Sequence, residues 1–235
     1  MSEFIFDVDG TLTPSRGTID PEFKEFFMDF AKKNNVYLVT GSDRPKTIEQ
    51  IGLDAYSLCK RVYNCSGNDV YEGDNNITHS KWVLPEPAHE WLTTQITESP
   101  WDILTGKHFE HRTGMCNFSV VGRNANTEQR KAYYEYDCKY EEREMIAETF
   151  NHIFPDLNAD VGGETGIDIF PRGKNKAQIL NHFIKDDIKF FGDRCEEGGN
   201  DHPIARELYP YQVHKVNSWR DTWRLLKPAG RLSDG

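Results

Sequence analysis

Near its N-terminus the chain reads Phe4-Ile5-Phe6-Asp7-Val8-Asp9-Gly10-Thr11-Leu12-Thr13, with two carboxylates one residue apart at the end of a short apolar run. Side chains alternate along a strand, so Asp7 and Asp9 are expected on one face while Val8 turns into the sheet. Two carboxylates held that close repel each other. Their pairing calls for Mg²⁺ or a shared proton, with the pKa of one acid raised. Gly10 lets the chain turn sharply and lets backbone N–H groups approach a phosphate. The chemistry within reach of these residues is metal-assisted phosphoryl transfer.

Other oxygen donors and cations occur at similar punctuation points. Thr40 closes the apolar run Val36-Tyr37-Leu38-Val39. That is the carboxyl edge of a strand, where open α/β sheets bind ligands. Its hydroxyl can take a phosphate oxygen, or it can simply precede a helix capped by Ser42 or Asp43. Lys176 could neutralise Asp7 and a phosphoryl group, or be a solvated surface charge. Phe190-Phe191-Gly192-Asp193 brings a third carboxylate to a strand end, and Gly198-Gly199-Asn200-Asp201 is a turn rich in oxygen ligands. Arg112, Arg123 and Arg130 lie on or beside strands and at a helix start. Their guanidinium forks can grip a second phosphate or form surface ion pairs.

The elements that must position these groups follow from periodicity. Asp20-Pro21 caps a helix with Phe23, Phe26, Phe27 and Phe30 inward, and Pro45 opens another carrying Ile48 and Ile51. Residues 61–65 form a strand and 69–74 a hairpin. From Ser80 the pattern changes to helix, strands at 107–112 and 116–121, two helices, and strands at 158–161 and 166–170, which is the order of an antiparallel α+β insert. A helix at 176–183 and strands at 188–191 and 211–216 resume the first pattern, and the residues after Leu226 read as a loose tail. The expected fold is α/β: a mainly parallel core from 1–79 and 173–235, interrupted by an insert over 80–172.

The 235 residues, 37% hydrophobic, are enough for a real core. A net charge of −10 argues against a general nucleic-acid or anionic-membrane binder. No run approaches the roughly 20 apolar residues of a membrane span. The motif begins at once, with no basic-then-apolar leader, so a cytoplasmic protein is expected. The five cysteines are scattered and are expected to be reduced.

Taken in order, DxDGT, the strand-ending Thr, Lys and GD…ND resemble the four motifs of the haloacid dehalogenase (HAD) superfamily, mostly Mg²⁺-dependent phosphoryl-transfer enzymes. The resemblance implies a Rossmannoid core with an inserted cap domain. More narrowly, FDVDGTLTPSR, R-x-G-M-x-N-x-S-x-x-G-R followed by EQR, GGETGIDIFPRGKNK and FFGDR…GGND resemble the eukaryotic-type phosphomannomutase family over nearly the whole chain. That implies interconversion of mannose 6-phosphate and mannose 1-phosphate, and of glucose phosphates as an extension, through a hexose 1,6-bisphosphate activator, with a place in GDP-mannose biosynthesis. Asp7 would be the nucleophile and Asp9 the general acid/base, assisted by Thr40 and Lys176. Asp7, the Asp9 carbonyl and Asp193 would hold Mg²⁺, supported by Asn200 and Asp201. Arg16, Arg112, Arg123 and Arg130 would hold phosphate, while Gly166 and Asp168 face the sugar. The family usually has a serine where this chain has Gly166, and one lost charge-assisted hydrogen bond costs about 1.5–3 kcal/mol. A homodimer through the cap is also implied. The alternative on the same scaffold is an Mg²⁺-dependent sugar-phosphate phosphatase, which differs in how well the closed cap denies water to the aspartyl phosphate.

Overall fold

The structure, a computed structural model, describes residues 2–15 and 17–227. Arg16 and most of the tail after Leu226, residues 228–235, lie outside the described residues. The first strand, β1 (Glu3–Phe6), leads through the motif loop to α1 (Pro21–Lys33). The Asp20 carboxylate caps that helix, accepting from the N–H groups of Glu22 (3.0 Å) and Phe23 (3.2 Å). Then come β2 (Asn35–Val39), α2 (Arg44–Ile51), α3 (Leu53–Leu58), β3 (Arg61–Asn64), β4 (Asp69–Glu72) and β5 (Asn75–His79).

The next stretch holds α4 (Glu86–Glu98), β6 (Phe109–Arg112), β7 (Met115–Phe118), α5 (Thr127–Tyr140), α6 (Glu142–Ile153), β8 (Leu157–Gly162) and β9 (Gly166–Pro171). A reciprocal Asn126–Gln129 capping box starts α5. The chain ends with β10 (Ile188–Gly192), the short α7 (His202–Ala205), β11 (Val213–Lys215) and α8 (Trp219–Leu226).

Two expectations change. Lys176–His182 forms 3₁₀ turns and not an α-helix. Positions three apart eclipse in that geometry, which lets Lys176 and Ile179 both turn inward. The last strand is shorter than expected because a 3₁₀ turn at Pro210–Gln212 precedes it.

Seven strands form one sheet in the order β11-β10-β1-β2-β3-β4-β5. The pairs from β11 to β3 are parallel, and β4 and β5 close the edge antiparallel. Apolar groups cover both faces, as a parallel sheet requires. Phe6, Leu38, Val62 and Phe191 pack with α1, α3 and α8 on one side. Ile5, Val39, Tyr63 and Phe190 pack with Ile179, Leu180 and Ile204 on the other.

A second sheet, β6-β7-β9-β8, is antiparallel throughout and has its own core around Cys116, Phe118, Ile167, Ile169 and Phe150. The chain divides into two compact units, Met1–His79 with Asn175–Gly235, and Ser80–Lys174. All five cysteines are free thiols. Among the described residues, no helix is long and apolar enough to cross a membrane.

Candidate active site

The parallel register builds the core site. Phe6 pairs with Leu38 and with Phe191, so Asp7 follows level with Val39 and Gly192, and Thr40 and Asp193 come one residue later at the same carboxyl edge. Oxygens of Asp7, Asp193 and Asp201 lie within 4.8 Å of one another. Lys176 Nζ donates to Asp7 Oδ1 at 2.6 Å and to Asp201 Oδ1 at 2.7 Å. Asp7, Lys176 and Asp201 are all buried.

Lys176 pairs with two of the three carboxylates, and Asp193 feels it and Arg194 only through space, so the buried cluster holds negative charge that a divalent cation or a proton would balance. Burial, then Asp201 and more weakly Asp193, push the Asp7 carboxyl up to about 8 against the pull of Lys176. Burial works against the Lys176 charge, yet Asp201 and Asp7 outweigh it and its pKa is raised, so the ammonium stays charged.

Small devices hold this arrangement. Gly10 sits at φ 80°, and a Cβ there would overlap the Asp193 carboxylate, so only glycine lets the loop approach. The Thr11 hydroxyl donates to Asp7 Oδ2 at 3.3 Å, and Thr222 of α8 donates to the Thr11 carbonyl at 2.7 Å, tying the C-terminal helix to the motif loop. Asp201 Oδ2 accepts from the Arg194 N–H at 3.2 Å.

Thr40 Oγ1 accepts from the Ser42 N–H at 3.1 Å, so what its hydroxyl offers an anion is its proton. The Thr40 carbonyl accepts from the Ser66 N–H at 2.8 Å. Ser66 and Cys65 are consecutive non-glycine residues in the left-handed region, at φ 58° and 48°, the sort of backbone strain that gathers at functional loops.

Asp9 stands differently from Asp7. β1 ends at Phe6, strand alternation stops there, and Asp9 Oδ1 accepts from Gln50 Nε2 at 2.8 Å. Asn200 is exposed in the turn before Asp201.

In the second unit, Glu110, Asn117, Asp168 and Asp160 stand in one cross-strand row on β6, β7, β9 and β8. Glu110 bridges two of the expected arginines, with Arg112 Nε on Oε1 at 2.8 Å and Arg123 Nε on Oε2 at 2.7 Å. Burial disfavours the Glu110 charge, but the two guanidinium groups outweigh it and its pKa is lowered. Arg130 pairs with Glu164 of the β8–β9 turn at 3.4 Å.

Asp168 is pushed up by burial, against a 2.6 Å hydrogen bond from Asn117 Nδ2 and the charges of Arg112 and Arg123. A Cβ at Gly166 would come within 2.5 Å of the same Nδ2, so the Asn117 amide takes the space a residue-166 side chain would need. The buried Arg143 anchors this turn, donating to the Gly163 and Gly166 carbonyls at 3.1 and 3.3 Å.

Sequence reasoning passed over Gln50, Glu110 and Asn117. Glu110 was legible, since it lies two residues before Arg112 on one strand and so shares its face. Gln50 had no local signal, because only tertiary folding brings it to Asp9.

A sequence profile described as eukaryotic phosphomannomutase matches residues 23–229. The phosphomannomutase of Saccharomyces cerevisiae is 33% identical, with 94% of this chain and 91% of that protein covered. The phosphomannomutase of Drosophila melanogaster is 32% identical, with 94% and 92% covered. Among solved structures, a haloacid dehalogenase-like hydrolase from Bacteroides thetaiotaomicron superposes with a TM-score of 0.57 at 12% identity, covering 95% of this chain and 97% of that one, a likeness of fold. With a profile match over most of its length and relatives of this identity along nearly all of it, the chain belongs to the eukaryotic phosphomannomutase family.

Proposed function

We propose that the protein is a phosphotransferase of the isomerase type that interconverts mannose 6-phosphate and mannose 1-phosphate, with hexose 1,6-bisphosphate as activator. The observation that carries this reading is the buried Asp7–Lys176–Asp201 chain at the carboxyl edge of the parallel sheet. In this reading Asp7 attacks a phosphorus of the bisphosphate. An Asp7–phosphate bond forms, the bond from phosphorus to the sugar oxygen breaks, and Asp9 gives that oxygen a proton. In the return step the free hydroxyl of a hexose phosphate gives its proton to Asp9 while its oxygen takes the phosphoryl group from Asp7. Lys176 stays charged and balances the carboxylate and the phosphoryl oxygens, and Thr40 offers its hydroxyl proton to one of them.

The hard oxygen donors of Asp7, Asp193 and Asp201, with their excess negative charge, fit Mg²⁺. When bound, Mg²⁺ would supply charge neutralisation and Lewis-acid polarisation of the phosphoryl group. The Asp9 carbonyl and Asn200 are supporting contacts in the same proposal.

In the second unit, Arg112, Arg123 and Arg130 supply the separate phosphate grip that a bisphosphate requires, and Asp168 and Gly166 are the sugar-side contacts in the same proposal. Arg16 is proposed from the sequence alone. A homodimer through the cap and a cytoplasmic setting belong to the same reading, on family resemblance.

The test is ³¹P NMR of the protein with Mg²⁺, mannose 1-phosphate and a catalytic amount of hexose bisphosphate. Growth of a 6-phosphate signal, absent in Asp7→Asn, supports the mutase. Inorganic phosphate without isomerisation replaces it with a phosphatase.

A further inference from the structure

Gln50 is 1% exposed, a polar side chain deep in the first unit. Its Nε2 donates to Asp9 Oδ1 at 2.8 Å and to the Gly17 carbonyl at 3.4 Å. Its own main-chain carbonyl accepts from the Ile19 N–H at 2.8 Å. One residue therefore holds both the second aspartate of the motif and the loop that follows it.

The helix that presents Gln50 is itself fixed. Asp43 caps α2 through the Lys46 N–H at 3.0 Å, and the buried Thr47 hydroxyl bridges the Asp43 carbonyl (2.9 Å) and Asn64 Oδ1 (3.0 Å). α2 thus runs from the loop that carries Thr40 to the carboxylate of Asp9 with little freedom to shift. Gln50 Oε1, by contrast, is buried with no hydrogen-bond partner among the described residues. A buried acceptor left without a donor costs stability, a cost methionine would avoid at Oε1 while giving up the Nε2 hydrogen bonds to Asp9 and Gly17. A glutamine kept in such a place, with its donor end on Asp9, marks a requirement other than packing.

We propose that Gln50 is a positioning residue for Asp9, holding its carboxylate and tying it to the Gly17–Ile19 segment so that the acid–base group and the loop keep one geometry. The inference rests on the proposed role of Asp9 as general acid/base. Proton transfer demands hydrogen-bond reach to the sugar oxygen, and losing the 2.8 Å hydrogen bond from Gln50 widens the range of orientations open to the Asp9 carboxylate. Gln50 touches no reacting atom and acts through Asp9.

The test separates steps that need a proton from one that does not. Phosphorylation of Asp7 by acetyl phosphate releases acetate, a leaving group that needs no general acid. Transfer from phospho-Asp7 to a hexose phosphate requires proton removal from the hydroxyl. In Gln50→Met with Mg²⁺, rapid-quench measurement is expected to show phosphorylation by acetyl phosphate within about twofold of wild type. Transfer to the hexose phosphate is expected to slow about 10- to 100-fold, with KM little changed. The melting temperature is expected to fall modestly, because the Asp9 carboxylate and the Gly17 carbonyl lose a donor. Equal slowing of both steps would make Gln50 merely structural and overturn the proposal, as would no slowing of either. Wild-type protein that neither phosphorylates nor isomerises would instead defeat the functional reading beneath it.

Discussion

Lys176 carries the charge balance of the core site, because its ammonium is the ion-pair partner of both Asp7 and Asp201 in a buried setting. Removing one member of a buried ion-pair set leaves uncompensated charge and costs about 3–5 kcal/mol. Lys176→Met is therefore expected to lower the melting temperature markedly. Mg²⁺ should raise that temperature more in the variant than in wild type, since the cation then meets carboxylates with no competing ammonium. Thermal melts with and without MgCl₂ check both outcomes. At Glu110 the relevant variable is pH. Its folded-state pKa lies below the ordinary 4.5, so its stabilisation is fully present above 4.5 and is lost as pH falls through the lower folded value. Between pH 5 and pH 3 the wild type should lose more melting temperature than Glu110→Gln, which has no charge to lose. Equal slopes for the two proteins would refute the linkage.

At the scale of elements, strand ends and tight turns decide what each side chain meets. The β7–β9 pairing sets Asn117 opposite Asp168, and Gly166 leaves room for the amide to lie over it. Restoring a serine at 166 therefore does not simply restore a hydroxyl. Gly166→Ser should push the Asn117 amide away from Asp168 and cost about 1–3 kcal/mol through overpacking. Adding Asn117→Ala should recover most of that loss, and chemical denaturation of the single and double variants measures the coupling. The strands and α1 were legible because their apolar periods and the Asp20-Pro21 cap are local signals. The 3₁₀ run at Lys176 was not, because its geometry answers to Asp7 and Asp201, residues distant in sequence.

At the scale of the whole molecule there are two units with separate cores: the first holds the buried carboxylate cluster, and the second holds Arg112 on a strand, Arg123 in a turn and Arg130 on a helix. Removing one guanidinium, as in Arg123→Ala, is expected to raise the KM for hexose phosphate by about 10- to 100-fold, the value of a charge-assisted hydrogen bond or two. Phosphorylation of Asp7 by acetyl phosphate should be spared, and steady-state kinetics beside a phosphoenzyme assay checks the pair of outcomes. The sequence by itself determined the fold class, the α+β insert and most of the residues that meet at the core site. Parallel strands deliver their carboxyl ends to one edge, and the motifs sit at those ends. Only the tertiary structure decided that Gln50 holds Asp9, that Glu110 joins Arg112 to Arg123, and that Asn117 fills the space beside Gly166. Apart from Glu110 and Arg112, those pairings join residues well separated in sequence, and no periodicity within one segment records which partner a buried polar group will find.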